Sequence, residues 1–205
     1  MGVLIDSHLN WNFQIDELST KLSRAVGMLA KIRHYVNQKT LNMIYHGIFS
    51  SLLLYCSQIW GQSNKSLLKM EKLQNKALRI INFEHSRCSV NPLYNKCEVL
   101  KFSDSIKLLN FLFAHDNIKG NLPSSLYDSI TLVDTRHLHN TRNSELNQLN
   151  VPTVRTLTSG INSIKSKSVN IWNEINKLFL AKQLIHQKRS FCKSFLKEYF
   201  LKGYV

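Results

Sequence analysis

The chain has 205 residues, enough for one domain or two small ones with a real core, and its 43% hydrophobic content excludes general disorder. Only 7 Gly and 3 Pro argue against a turn-rich β fold and for long helices. Lys and Arg number 27 against 13 Asp and Glu, a formal charge of +14 that repels itself in a compact state and attracts polyanions: nucleic acid, an anionic membrane surface or acidic protein.

At the N-terminus Val3 to Ile5 reads as a short strand, and Asn10 as the cap of a helix over residues 11–35. That helix buries Ile15, Leu18, Leu22, Ala25, Val26, Leu29, Ile32 and Val36, which recur at steps of three and four. Lys21, Arg24, Lys31 and Arg33 lie mostly off this stripe. A second helix starts at Asn37 or Thr40 and runs to Ile59, with Leu41, Ile44, Ile48, Leu52, Tyr55 and Ile59 as its face and Phe49 and Leu53 widening it. Almost free of charge, it is expected to be the buried central helix, closed by Trp60 and a left-handed Gly61.

Ser63 or Asn64 caps a third helix to Asn82, with Met70, Leu73, Ala77, Ile80 and Ile81 on its apolar side. Its other side carries Lys65, Lys69, Lys72, Lys76 and Arg79, one basic line about 20 Å long at the helical rise per residue. Pro92 opens a short helical turn. Ser103 caps a helix to Asn117 that is apolar nearly all round and therefore buried. Residues 119–160 lose periodicity and read as a linker with a short strand near Val151 to Leu157. A helical tail follows at 161–180 and 187–202, with Phe191, Phe195, Leu196, Tyr199 and Phe200 facing inward and Lys188, Arg189, Lys193 and Lys197 facing out. This predicts a mainly α protein in three parts: 1–118, 119–160 and 161–205.

The chemistry-bearing residues are sparse. Cys56, Cys88, Cys97 and Cys192 are scattered and read as reduced thiols, and neither His85, Cys88 and Cys97 nor His137 and His139 have zinc-finger spacing. No secretory leader is legible and no apolar run reaches the roughly 20 residues of a membrane span, so an intracellular protein without a membrane partner is expected. No glycine-rich phosphate loop and no nucleophile elbow occur. Asp16-Glu17 is the only adjacent acidic pair, and it sits in a first helical turn, where acids favour the dipole. Asp104, Asp116, Asp134 and Glu145 stand alone. The aromatics Trp11, Trp60, Trp172, Phe111 and Phe113 lie on apolar faces and are read as core.

Several local patterns, taken in order, resemble one family. Gly2-Val3-Leu4-Ile5-Asp6, followed by Leu9, Asn10, Trp11 and Ile15, is similar to the strand and helix start after the last palm motifs of non-LTR (LINE-type) retrotransposon reverse transcriptases. Leu41 to Tyr45, Tyr55 and Trp60-Gly61 resemble the next helix. Gln74, Lys76, Ala77, Arg79 and Ile80-Ile81 resemble the helix after it, and Pro92-Leu93 with Val99-Leu100 its following turn. Thr141-Arg142, Pro152, Arg155-Thr156, Ser163-Ile164 and Trp172-Asn173 resemble the C-terminal tail of jockey- and CR1-like elements. The chain departs from the pattern at Met1, where the family has Leu, and at Glu174-Ile175, where it has Leu-Pro.

The resemblance implies the end of the palm, a helical thumb and the C-terminal tail of an RNA-directed DNA polymerase. The catalytic aspartates of the palm are absent, so the fragment is expected to be inactive alone, with no cofactor of its own; a divalent metal such as Mg belongs to the full-length enzyme. The implied partners are an RNA/DNA template–primer and the missing palm and fingers. The expected contacts are Lys65, Lys69, Lys72, Lys76 and Arg79, then Lys21, Arg24 and Lys31, acting on phosphates through counterion release. Two other readings stand beside this one: a stand-alone helical adaptor for a protein partner, and an inactive remnant of an element.

Overall fold

A computed structural model describes residues 2–133, 148–156, 160–178 and 182–204. Thr141-Arg142, His137, His139, Asp134, Glu145 and Leu157 lie outside the described residues. The described part is mainly helical. In chain order come α1 (Asn12–Ile32), α2 (Gln38–Ile44), a π-helical segment (Tyr45–Ser50), α3 (Ser51–Leu54), α4 (Ser57–Trp60), α5 (Asn64–Ile81), α6 (Asn91–Lys96), α7 (Phe102–Ile118), a 3-10 turn (Ser124–Ser129), α8 (Ile164–Leu178), α9 (Lys182–His186) and α10 (Arg189–Lys202). The chain divides into two compact units: residues 1–105 with 199–205, and residues 106–198.

In the first unit α1 follows its apolar spacing. Ile15, Leu18, Leu22, Ala25, Val26 and Leu29 are all buried. The strand expected at Val3 to Ile5 is absent. A strand needs a neighbour to take its hydrogen bonds, and here Leu4 N–H instead donates to the Gln14 side-chain oxygen at 2.9 Å. Asn10 does not cap α1. The preceding residue of the helix is Trp11, held at φ 60° with no side-chain cap. Asn37 does cap α2, accepting from Thr40 N–H at 2.8 Å, and Ser63 caps α5, accepting from Ser66 N–H at 3.2 Å.

The second predicted helix is broken. Its buried apolar residues are Leu41, Tyr45, Phe49, Leu53 and Trp60, whereas Ile48, Tyr55 and Ile59 from the expected face are exposed. The cause is the π segment: hydrogen bonding from i to i+5 widens the turn, so residues four apart stay in line instead of drifting round the helix. The helix then stops at Tyr55, which is extended, and Cys56, which is left-handed at φ 50°. Gly61 closes α4 at φ −83°, outside the left-handed region expected for it.

The left-handed helix terminators are elsewhere. Phe83, Glu98 and Gly120 have φ of 58°, 51° and 70°. After α5, Phe83 N–H reaches Ile80 O and Glu84 N–H reaches Arg79 O; after α6, Glu98 reaches Asn95 and Val99 reaches Tyr94. Each pair is a Schellman motif that satisfies the last helical carbonyls. The unit's core includes Trp60 stacked on Phe102 at 5.5 Å and Tyr45 stacked on Phe49 at 5.2 Å. Truncating Trp60 would cost about 3–5 kcal/mol, the usual toll for a buried large aromatic.

The second unit packs Phe111 of α7 against Trp172 of α8, stacked at 4.8 Å. The expectation that α7 is apolar nearly all round needs correction: Asn110, His115, Asp116 and Asn117 are buried as well. They are held by polar partners. His115 Nε2 lies 3.1 Å from Gln187 O, Asn117 donates to Leu126 O at 2.8 Å, and Arg189 pairs with Asp116 at 2.7 Å. The strand expected from Val151 is not formed over its described residues 151–156; an isolated bridge joins Leu132 to Leu149. Asn173 completes that bridge by imitating a peptide, accepting from Leu149 N–H at 2.8 Å and donating to Leu149 O at 2.9 Å.

On α10, Cys192 and Leu196 are buried, and burial pushes the Cys192 thiol above its ordinary value. Phe191, Phe195 and Tyr199, expected inside, are 50%, 36% and 38% exposed. Their spacing of four places them together on the next face round, so the buried stripe is the narrow one through Cys192 and Leu196. All four cysteines are free thiols. Among the described residues no helix is long and apolar enough to cross a membrane.

Candidate nucleic-acid interface

The register of α1 against α5 follows from two contacts. Lys65 Nζ donates to Asn12 Oδ1 at 3.0 Å, and Lys69 pairs with Asp16 at 2.5 Å. Both contacts join residues 53 apart in sequence, so the helices run in the same direction side by side. Both turn their buried residues toward the core of the first unit: Leu18, Leu22 and Val26 from α1, Met70, Gln74 and Ala77 from α5. Their opposite faces therefore form one outer surface, with helix axes roughly 8–10 Å apart.

This surface holds the predicted binding residues, but it does not treat them alike. At its N-terminal end the cations are engaged. Lys65 is tied to Asn12 and Lys69 to Asp16, whose carboxyl is held below its ordinary range by the Lys69 hydrogen bond and charge, and further by Lys65. Lys21 pairs with Glu17 one turn away at 2.5 Å and lies on the flank of α1 remote from α5. Arg79 is half-buried, its Nε donating to Cys88 O at 3.0 Å, so part of its fork already serves the loop after α5.

Lys72 and Lys76 on α5, and Arg24 and Lys31 on α1, are exposed and enter no ion pair among the described residues. By the register, Lys76 stands level with Ser23 and Arg24. Arg24 and Lys31 are two turns apart on the outer face of α1. Thr20, Ser23 and Gly27 lie among these cations and leave the space between them low. The line of five cations seen in the sequence is thus divided: engaged by Asn12 and Asp16 at Lys65 and Lys69, open at Lys72 and Lys76, and partly engaged again at Arg79.

Asn12 and Asp16 are the residues that sequence reasoning missed. Nothing local marks them, because the groups they engage lie on another helix.

Among the described residues the carboxylates do not assemble a metal centre. Asp16 faces Lys69, Glu17 faces Lys21, Glu71 accepts from Ser103 N–H, Asp104 accepts from Tyr204 and Asp116 holds Arg189. Among the described residues no three His, Cys, Asp or Glu side chains converge on a point where an ion could sit. The described residues therefore do not fit the two-metal arrangement of a polymerase.

Comparison of the chain with models of known families, with curated proteins and with solved structures finds no match in any of the three.

Proposed function

We propose that this chain is a nucleic-acid-binding fragment: the end of the palm, the thumb and the C-terminal tail of a non-LTR retrotransposon reverse transcriptase, gripping a template–primer duplex without catalytic carboxylates of its own. The family part of this reading rests on the ordered sequence motifs alone. The binding part is supported by one observation, the open cations Arg24, Lys31, Lys72 and Lys76 on the shared outer face of α1 and α5. Like charges gathered on one face repel each other unless an anion neutralises them, and a phosphate backbone supplies regularly spaced anions. The grip is by backbone and shape, with little base reading.

A fluorescence-anisotropy titration with a labelled RNA/DNA duplex tests it. Four engaged phosphates give a slope of log affinity against log salt of roughly −2.8 to −3.6. Charge reversal at Lys72 and Lys76 should remove most binding. A flat salt response, or a double variant that binds as well as the parent, would remove this surface from the reading.

One observation favours a protein partner as well. Leu4, Ile5 and Phe13 are 47%, 71% and 70% exposed at the N-terminal end of the first unit. In the polymerase reading the missing palm covers them; in the adaptor reading a separate protein does. Retention on an immobilised acidic protein, with no retention on duplex, would select the adaptor.

A further inference from the structure

Phe83 occupies the residue after the α5 cap, where helices ordinarily use glycine because the backbone must be left-handed. Its φ is 58°, and the two hydrogen bonds of the Schellman turn are formed. A bulky side chain at such a position is unusual unless something else is gained. Burial is not the gain, since Phe83 remains 50% exposed. Its ring is oriented by the turn that ends α1 instead: the Arg33 guanidinium lies 5.3 Å from the ring centroid and the His34 ring meets it edge-on at 6.0 Å. Arg33 Nε in turn donates to His34 Nε2 at 3.1 Å. The next residue, Tyr35, is 87% exposed.

This cluster stands at the C-terminal end of the α1–α5 surface, just beyond Lys31 and Arg79. Lys31 and Arg87, near these residues in sequence, are exposed, and Glu84 is the adjacent acid. Its chemistry is an accessible π face with cations beside it. Inside a duplex the base faces are stacked on one another, whereas a single strand can turn them outward, and base–aromatic stacking beside cations is how single strands are held.

We infer that the Phe83–Arg33–His34 cluster is a stacking site for an unpaired nucleobase of a single strand that continues from the duplex on the α1–α5 face. The inference rests on the nucleic-acid reading of that face and assigns the strand beyond the duplex to a separate set of residues.

Three ligands decide it: a blunt RNA/DNA duplex, the same duplex with a short single-stranded overhang, and the overhang strand alone. The parent protein is expected to bind the overhang duplex more tightly than the blunt one. Phe83→Gly relieves the backbone, so the variant folds at least as well as the parent, and it should lose roughly 5- to 150-fold on the overhang duplex while leaving the blunt duplex unchanged. Phe83→Trp should retain the preference. Equal binding of the overhang duplex by the parent and Phe83→Gly overturns the inference, as does an equal loss on both duplexes. If the parent ignores the blunt duplex but binds the single strand in a Phe83-dependent way, the stacking site stands and the duplex grip falls. If it binds none of the three, both fall.

Discussion

Gln74 and Phe102 are joined across 28 residues of sequence: the Gln74 side-chain oxygen accepts from the Phe102 N–H at 2.9 Å inside the first unit. The same amide donates to Leu100 O at 2.9 Å and approaches the Tyr45 hydroxyl at 3.2 Å, while the Tyr94 hydroxyl donates to the amide oxygen or to Asn75. One buried amide thereby satisfies the π segment, α6 and the entry to α7 together. Gln74→Leu keeps the volume and orphans these partners. Buried unsatisfied groups cost about 1–3 kcal/mol each before relaxation, so a net loss of about 3 kcal/mol is expected. Urea denaturation measures it as a lower midpoint at unchanged slope; a loss under 1 kcal/mol would show that the network is dispensable.

The tyrosines of this region set a limit at alkaline pH. Burial raises the pKa of Tyr45 and of Tyr94 above the ordinary value of 10.0, with neighbouring acidic groups adding to the effect at Tyr94. Both are therefore neutral in the folded chain when the unfolded chain ionises them. Their stability contribution is complete below pH 10 and is lost as pH rises from there toward the folded values. Each should remove about 1.4 kcal/mol per pH unit in that window. Thermal melts between pH 8 and 11.5 should be flat at first and then fall; Tyr45→Phe should make the fall shallower by one such increment. A fall that starts well below pH 9 would have to come from other groups.

The parts of this fold that were legible in the sequence are those with local causes. The steps of three and four in α1 bury Ile15 through Leu29, though Ile32 is only half-buried and Val36 lies beyond the helix, and the side-chain oxygens of Asn37 and Ser63 cap as their chemistry dictates. The break from α2 to α4 was not legible. Leu41, Tyr45, Phe49 and Leu53 fit a continuous helix nearly as well as a π segment, and nothing about Cys56 announces a left-handed backbone. Phe83 and Glu98 were hidden for the same reason, because the rule that locates such turns looks for glycine. At the candidate interface the cations themselves were visible as a line. Which of them are open was not, since that depends on Asn12 and Asp16 lying beside α5 in the folded chain.

Gly27 offers a test of how the outer face is used. It sits in the middle of α1, and a Cβ placed there meets nothing within 4 Å. Packing therefore gives no reason for glycine, and Gly27→Ala should stabilise the protein by about 1 kcal/mol through helix propensity and a less flexible unfolded chain. For one of the two compact units this is a rise of several degrees in melting temperature. Unchanged duplex affinity is expected if phosphates meet only the long cations. A marked loss alongside the gain in stability would mean that the backbone of α1 is approached closely at Gly27.

The ion pair between Asp16 and Lys69 makes the division of the interface measurable. Lys69 is engaged and Lys72 is open, so Lys69→Ala should weaken duplex binding less than Lys72→Ala does, although the two residues are adjacent on the same helix face. Asp16→Asn removes the anion and releases Lys69 to meet a phosphate. The pair is exposed, so the fold should tolerate the change. Affinity for an RNA/DNA duplex should rise, and the slope of log affinity against log salt should steepen by roughly 0.7–0.9, one further counterion released. The added Asp16→Asn effect should vanish when Lys69 is already alanine, which isolates the released cation from any general change in charge. If Asp16→Asn leaves the slope unaltered, Lys69 does not join the duplex contact even when free, and the interface begins at Lys72.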